Sequence, residues 1–221
     1  MLIALNSPSA PGTGPVLASV HLALDAVTPA TVTVSYETLP GNQPKLYGNF
    51  LAIWQSTVIP WSAPPLKRQA LAPGGQSGAT TLSGLGIQRK PYIVGYGVGA
   101  EITSIAASLA LHPDREAVVL ATTIEVPAIT PDSLVIHYRT LPGYRPLTAG
   151  NWIGLWQGQA SPFYSGDPIA RAVPDHDFSE GYIAMDGLVL TFGTTYTLVY
   201  FAGAGKTEAA AILTFTTASR S

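Results

Sequence analysis

The feature that most constrains this chain is that it is written twice. "TVTVSYETLPG" (31–41) returns as "SLVIHYRTLPG" (133–143), and Tyr36 against Tyr138 sets the offset at 138 − 36 = 102. The same offset pairs Pro29 with Pro131, Pro44 with Pro146, Gly48 with Gly150, Asn49 with Asn151, Trp54 with Trp156, Gln55 with Gln157 and Pro60 with Pro162. Later, "YIVGYGVG" (92–99) matches "YTLVYFAG" (196–203) at 196 − 92 = 104, so two residues have entered an intervening loop. Self-similarity at this period marks a duplicated unit of about one hundred residues. The expected boundary lies in "LHPDRE" (111–116), the densest charged patch. That gives an N-terminal arm over 1–15, a first repeat over 16–111, a linker over 112–115, a second repeat over 116–217 and a tail over 218–221.

Within each copy, short runs rich in β-branched and aromatic residues alternate with Pro and Gly. Strands are expected at "LASVHLAL", "TVTVSYE", "NFLAIWQ", "ATTLSGL", "YIVGYGV" and "SIAASLAL". In the second copy they are expected at "AVVLATTIEV", "SLVIHYRT", "NWIGLWQ", "GYIAMDGLVL", "TYTLVYFA" and "AAAILTFTT". No segment keeps a helical period. The expected fold class is all-β, with two tandem immunoglobulin-like antiparallel β-sandwiches. "TLPG" is a turn, in which Pro fixes φ and Gly accepts a positive one.

Two strands per copy break the apolar-in, polar-out rule of a sandwich. In "NWIGLWQ", Trp152, Gly154 and Trp156 share one face while Ile153 and Leu155 share the other; in "NFLAIWQ", Phe50, Ala52 and Trp54 oppose Leu51 and Ile53. One face belongs to the core, and the other needs a cover, since large exposed apolar patches are rare on monomers. The sister repeat, a second subunit or a ligand could supply it; contact with the sister repeat or a second subunit is the expectation, and a local loop folded over the sheet is the plainer alternative.

Charged residues are only 11% of the chain and the formal net charge is −2. This excludes the basic face that nucleic-acid binding needs. No apolar run approaches the roughly 18 residues of a membrane-spanning helix. With no Cys, disulfides, Cys-ligated zinc and thiol catalysis are excluded. "MLIALNSPSAPGTGPV" does not read as a secretory leader, which leaves the cytoplasm, a leaderless route of export or a leader already removed as expectations. Its "NSPSAPGTGP" reads as a flexible arm and "MLIAL" as an added edge strand.

A strand ending in Tyr, a Pro-bearing turn, "NWIGLWQG" and then "TYTLVYF" resemble the D-W-I-G-L-Y strand pattern of SKICH-type domains. They are also similar to the fibronectin-like domain that precedes the catalytic domain of plant purple acid phosphatases. The resemblance covers about half of each copy, with Asn49 and Asn151 in place of the families' Asp. It implies a non-catalytic immunoglobulin-like sandwich, with roles in protein and membrane targeting for the SKICH type.

Motifs for chemistry are sparse. "GAGKT" (203–207) lacks the leading Gly of a phosphate loop, Tyr200 standing in its place, and lies between two expected strands. "GGQSGA" (74–79) carries Ala79 where a nucleophile elbow needs Gly. "PDHDFSE" (174–180) gathers Asp175, His176, Asp177 and Glu180, a weak cation site whose plainer reading is a solvated loop. The four His, at 21, 112, 137 and 176, are scattered, and Ser35 stands at the place of His137. Aromatic loops hold Trp61 in one copy and Phe163, Tyr164 and Asp167 in the other. They suit a platform for sugar rings, or plugs for the sandwich ends.

The sequence therefore leads to a non-enzymatic binding or assembly protein, with no cofactor, that self-associates into a homo-oligomer or filament through apolar sheet faces. Trp54, Trp61, Trp152, Trp156, Phe163, Tyr164 and Asp167 are the interface or ligand candidates. The alternative is a carbohydrate-binding module or lectin using the aromatic loops.

Overall fold

Along "TVTVSYE" and "SLVIHYR" an apolar side chain alternates with a polar or smaller one, so a pleated strand buries every second residue. The computed structural model describes residues 15–72, 74–163 and 165–218. Among these there is no α-helix; the strands are, in order, β1 (Val16–Ser19), β2 (His21–Val27), β3 (Thr31–Glu37), β4 (Phe50–Trp54), β5 (Lys67–Ala70), β6 (Ser77–Ser83), β7 (Tyr92–Gly97), β8 (Ile105–His112), β9 (Arg115–Ala121), β10 (Thr123–Ile129), β11 (Ser133–Arg139), β12 (Trp152–Gln157), β13 (Ala170–Ala172), β14 (Glu180–Asp186), β15 (Thr195–Phe201) and β16 (Ala209–Thr216). In β3, Val32, Val34 and Tyr36 are buried; in β11, Leu134, Ile136 and Tyr138 are. The protein is all-β and antiparallel throughout.

Four sheets result: β2-β3-β6 and β5-β4-β7-β8-β9, then β10-β11-β14 and β1-β16-β15-β12-β13. In each half, inward side chains of a three-stranded sheet meet those of a five-stranded one. Val32, Val34 and Leu82 join Leu51, Val94 and Leu109; Leu134, Ile136 and Met185 join Ile153, Leu198 and Leu213. All of these belong to one continuous buried cluster that runs through both halves.

The first strand of each copy lies in the other copy's sheet. β1 pairs with β16, the last strand of the second copy, while β9 pairs with β8, the last of the first. The registers match under the sequence offsets: Ser19 faces Ala211 and Ala121 faces Ala107, with 121 − 19 = 102 and 211 − 107 = 104. The exchange is therefore reciprocal and pseudo-symmetric. "LASVHLAL" and "AVVLATTIEV", expected as single strands, divide at Val20 and Thr122, where the chain leaves one sheet and enters another. Residues 112–115, expected as a linker, form the turn of the β8–β9 hairpin, with His112 opposite Arg115. The strand expected over "GYIAMDGLVL" stops at Asp186, because Gly187 takes φ 71°. β5 and β13 are short edge strands that apolar periodicity does not announce. Of the expected arm over 1–15, residues 1–14 with the "MLIAL" strand lie outside the described residues, as do tail residues 219–221.

Candidate functional site

The two-faced strands are buried on both sides, as their sequence demands. Leu51, Ile53, Ile153 and Leu155 point into the shared core. Phe50, Ala52 and Trp54 form a second cluster with Ile59, Ile93 and Ile105; Trp152 and Trp156 form a third with Val199, Phe201 and Ala209.

Three elements cover these outer faces, and each occurs in both copies. The first is the TLPG turn of the sister copy. Leu141 packs into the cluster of the first copy and Leu39 into that of the second, both 1% exposed. Gly41 (φ 87°) and Gly143 (φ 73°) turn the chain back behind them, a conformation that suits Gly alone. The second is a local loop. Trp54 Nε1 donates to the Ala63 carbonyl and Trp156 Nε1 to that of Gly166, both at 3.0 Å, which pins each loop over its own strand. The third is a guanidinium from the edge strand: Arg68 lies 3.9 Å from the centre of the Phe50 ring and Arg171 lies 4.3 Å from that of Trp152. On the second copy, Trp152 also stacks on Phe201 at 4.0 Å.

The cover is thus intramolecular. Trp54, Trp152 and Trp156 are at most 5% exposed, so these sheet faces have no free surface to offer a second subunit. This corrects the route of assembly expected from the sequence: the two-faced pattern is real, but the chain consumes it itself.

The aromatic loops go to different places. Trp61 packs on Tyr144 at 4.8 Å, and its Nε1 donates to the Pro142 carbonyl at 3.0 Å, joining the first copy to the second. Phe163 stacks on Tyr47 at 5.3 Å, joining the second to the first. Trp61 and Phe163 belong to separate clusters and form no common platform. Asp167 bonds Lys206 at 2.7 Å, which holds its carboxyl below the usual range. Tyr164 lies outside the described residues.

The acidic loop is engaged with the protein. Asp177 accepts from the Thr148 hydroxyl (2.6 Å), the Thr148 amide (2.8 Å) and the Arg145 guanidinium (2.9 Å), and these donors depress its pKa. Glu180 turns instead to Arg139 (3.1 Å) and His137 (2.9 Å). Asp175 stands 3.7 Å from His176, whose Nδ1 accepts from the Phe178 amide. Among the described residues no three His, Asp or Glu side chains converge as cation ligands.

Sequence reasoning missed what the repeated Asn does. Asn49 is fully buried; its Oδ1 accepts from Asn42 (2.7 Å) and the Tyr96 hydroxyl (3.1 Å), and its Nδ2 donates to the Val98 carbonyl (2.6 Å). Asn151 repeats this, with Oδ1 facing the Tyr144 hydroxyl at 2.9 Å and Nδ2 donating to the Tyr200 hydroxyl at 2.7 Å. Each clasp locks the turn onto the strand that follows. The signal was there: an Asn at both copies, ahead of an all-apolar strand.

Among the exposed apolar side chains, three are consecutive on one edge strand. β9 is the last strand of its sheet, and Val118, Val119 and Leu120 are 50%, 36% and 45% exposed. The outer edge of β5 carries Lys67 and Arg68, and β13 is three residues long with Arg171 at its centre. β2 and β10 carry bulges, and β10 also has Pro127. These are the usual protections of an edge; on β9 they are confined to its start, with Arg115, Glu116 and a shift of register before Val118, and Val118–Ala121 carry no charge.

No family model and no curated protein matches the chain. What fold and site define is a class: an all-β chain of sandwich-like sheets whose two copies are interlocked by exchanged strands and turns. No helix among the described residues is long and apolar enough to cross a membrane.

Proposed function

We propose that this chain is a non-enzymatic assembly protein, made of two immunoglobulin-like sandwiches, that self-associates edge to edge through β9. The observation that carries this reading is a mismatch between pattern and position. "AVVLA" is apolar on both faces, as internal strands are, yet β9 lies at the margin of its sheet. A second copy supplies the missing neighbour. Antiparallel pairing of β9 with β9 about Val118 is self-complementary, as a two-fold interface requires, and joins two five-stranded sheets into one. The engagement of Asp177 and Glu180 with Arg145, Arg139 and His137 supports a structural role for the one loop that gathers acids.

Sedimentation velocity tests this over a concentration series reaching about 100 µM, where edge pairing of this kind, with affinities in the micromolar range, is populated. The wild type is expected to show a dimer or larger species, and Val118→Lys with Leu120→Lys a monomer with an unchanged melting temperature. A wild type that stays monomeric throughout refutes assembly; a variant that still associates refutes the β9 edge.

A further inference from the structure

The two junctions between the copies are built from equivalent residues but end differently. At one, Phe163 meets Tyr47, and the two rings stack at 5.3 Å with 14° between their planes. At the other, Trp61 stands at the position of Phe163 (61 + 102) and Ala149 at that of Tyr47 (47 + 102). Trp61 packs there on Tyr144, which stands at the place of Asn42 (42 + 102), and no ring stands at the Tyr47 position. In the place of that ring is a cleft of about 370 Å³ lined by Trp61, Ser62, Thr103, Tyr144, Arg145 and Thr148, with Ala149 at its side. That volume lies near the lower end of the roughly 300–1,000 Å³ of small-molecule sites.

The walls are fixed in place. Trp61 is held by its bond to Pro142 and by the Tyr144 ring. The Tyr144 hydroxyl lies 2.6 Å from the Thr103 carbonyl oxygen. Arg145 and Thr148 are both anchored on Asp177. The Arg145–Asp177 pair neutralises the cationic wall, so the cleft selects neither an anion nor a cation by charge. It offers a half-buried indole beside a guanidinium and the hydroxyls of Ser62, Thr103 and Thr148. Those are complementary to a neutral pyranose: the C–H face of the ring lies on the indole, while its hydroxyls bond the donors and acceptors around it.

We infer that this cleft, opened by Ala149 in the place of Tyr47, binds a neutral saccharide ring stacked on Trp61. The site is distinct from the β9 edge, and neither proposal depends on the other.

The test is a titration of the full ¹⁵N-labelled chain, followed at its four indole N–H signals, with methyl glycosides of glucose, galactose, mannose and N-acetylglucosamine, alongside a neutral glycan array. The Trp61 signal, assigned with Trp61→Phe, is expected to shift with at least one of these sugars. Trp152 and Trp156, buried in the other copy's cluster, stay still, and Trp54, in the cluster that Trp61 packs on, shifts less than Trp61. Ala149→Tyr rebuilds the closed sister junction; it is expected to keep the melting temperature and to weaken sugar binding at least tenfold. No shift and no array signal overturns the inference. Full binding by folded Ala149→Tyr overturns the location. A Trp61 shift with N-acetyltyrosinamide but with no sugar overturns the ligand class in favour of a peptide side chain.

Discussion

Asn49 does what a carboxylate could not. Asn49 must donate from Nδ2 to the Val98 carbonyl, 2.6 Å away in a fully buried site. Asn49→Asp would set two acceptors against each other and bury a charge, costs of about 2–4 kcal/mol together; urea denaturation is expected to show that loss at neutral pH. Around these clasps sit phenols that cannot ionise in place. Burial drives the pKa values of Tyr96, Tyr144 and Tyr200 well above the ordinary value. Burial first, and then the charges of Asp175 and Asp177, push Tyr138 up to about 12. A raised folded-state pKa gives stability that is complete below the unfolded phenol value of about 10 and is lost as pH climbs through the folded one. Alkaline titration is therefore expected to unfold the protein above about pH 10, with tyrosinate absorbance from the buried rings appearing together with loss of near-ultraviolet dichroism. Gly154 is a third such position. A Cβ there would lie 2.6 Å from the Trp156 ring and 2.9 Å from that of Trp152, whereas the first copy, with Phe50 in place of Trp152, accommodates Ala52. Gly154→Ala is expected to lower stability by about 1–3 kcal/mol, the usual range for overpacking, read from the thermal midpoint.

At the scale of elements, the sequence was legible where periodicity carries the information. β3, β4, β7, β11, β12 and β15 fall on the runs that apolar patterning marks, and the two-faced reading of β4 and β12 correctly demanded a cover. What covers them was not legible, because a pattern of side-chain faces says nothing of which distant residue arrives. Leu39 and Leu141 sit in turns, where a buried leucine is unexpected; their recurrence one repeat apart was the available clue. The exchange of β1 and β9 was hidden for a related reason. Strand pairing depends on topology, and "LASVHLAL" reads as one strand whichever sheet each half joins. The Trp61 cleft was foreshadowed only as an aromatic loop, since Ala149 gains meaning beside Tyr47 once both junctions are placed. Leu141→Ala removes the plug from the first copy's outer cluster. It is expected to cost about 2–5 kcal/mol, as for other buried leucines, and Leu39→Ala to cost a similar amount on the second, both measured by chemical denaturation.

For the molecule as a whole, these contacts decide whether two copies behave as two folding units or as one. Tandem sandwiches joined by a linker would unfold in two independent transitions. Here one buried cluster runs through both halves, each half lends its first strand to the other's sheet, and each half's TLPG leucine completes the other's outer face. Losing either half would uncover the edge of β8 or β16 and open a cluster at Leu141 or Leu39. Neither half then has a state of its own to occupy at the temperature where the other has melted. Differential scanning calorimetry of the intact chain is expected to give a single peak whose calorimetric and van't Hoff enthalpies agree, the signature of one cooperative unit. Leu141→Ala and Leu39→Ala should each move that one peak without splitting it. Two resolved peaks, with each leucine variant shifting only one of them, would mean that exchanged strands and turns decorate two self-sufficient sandwiches rather than fuse them.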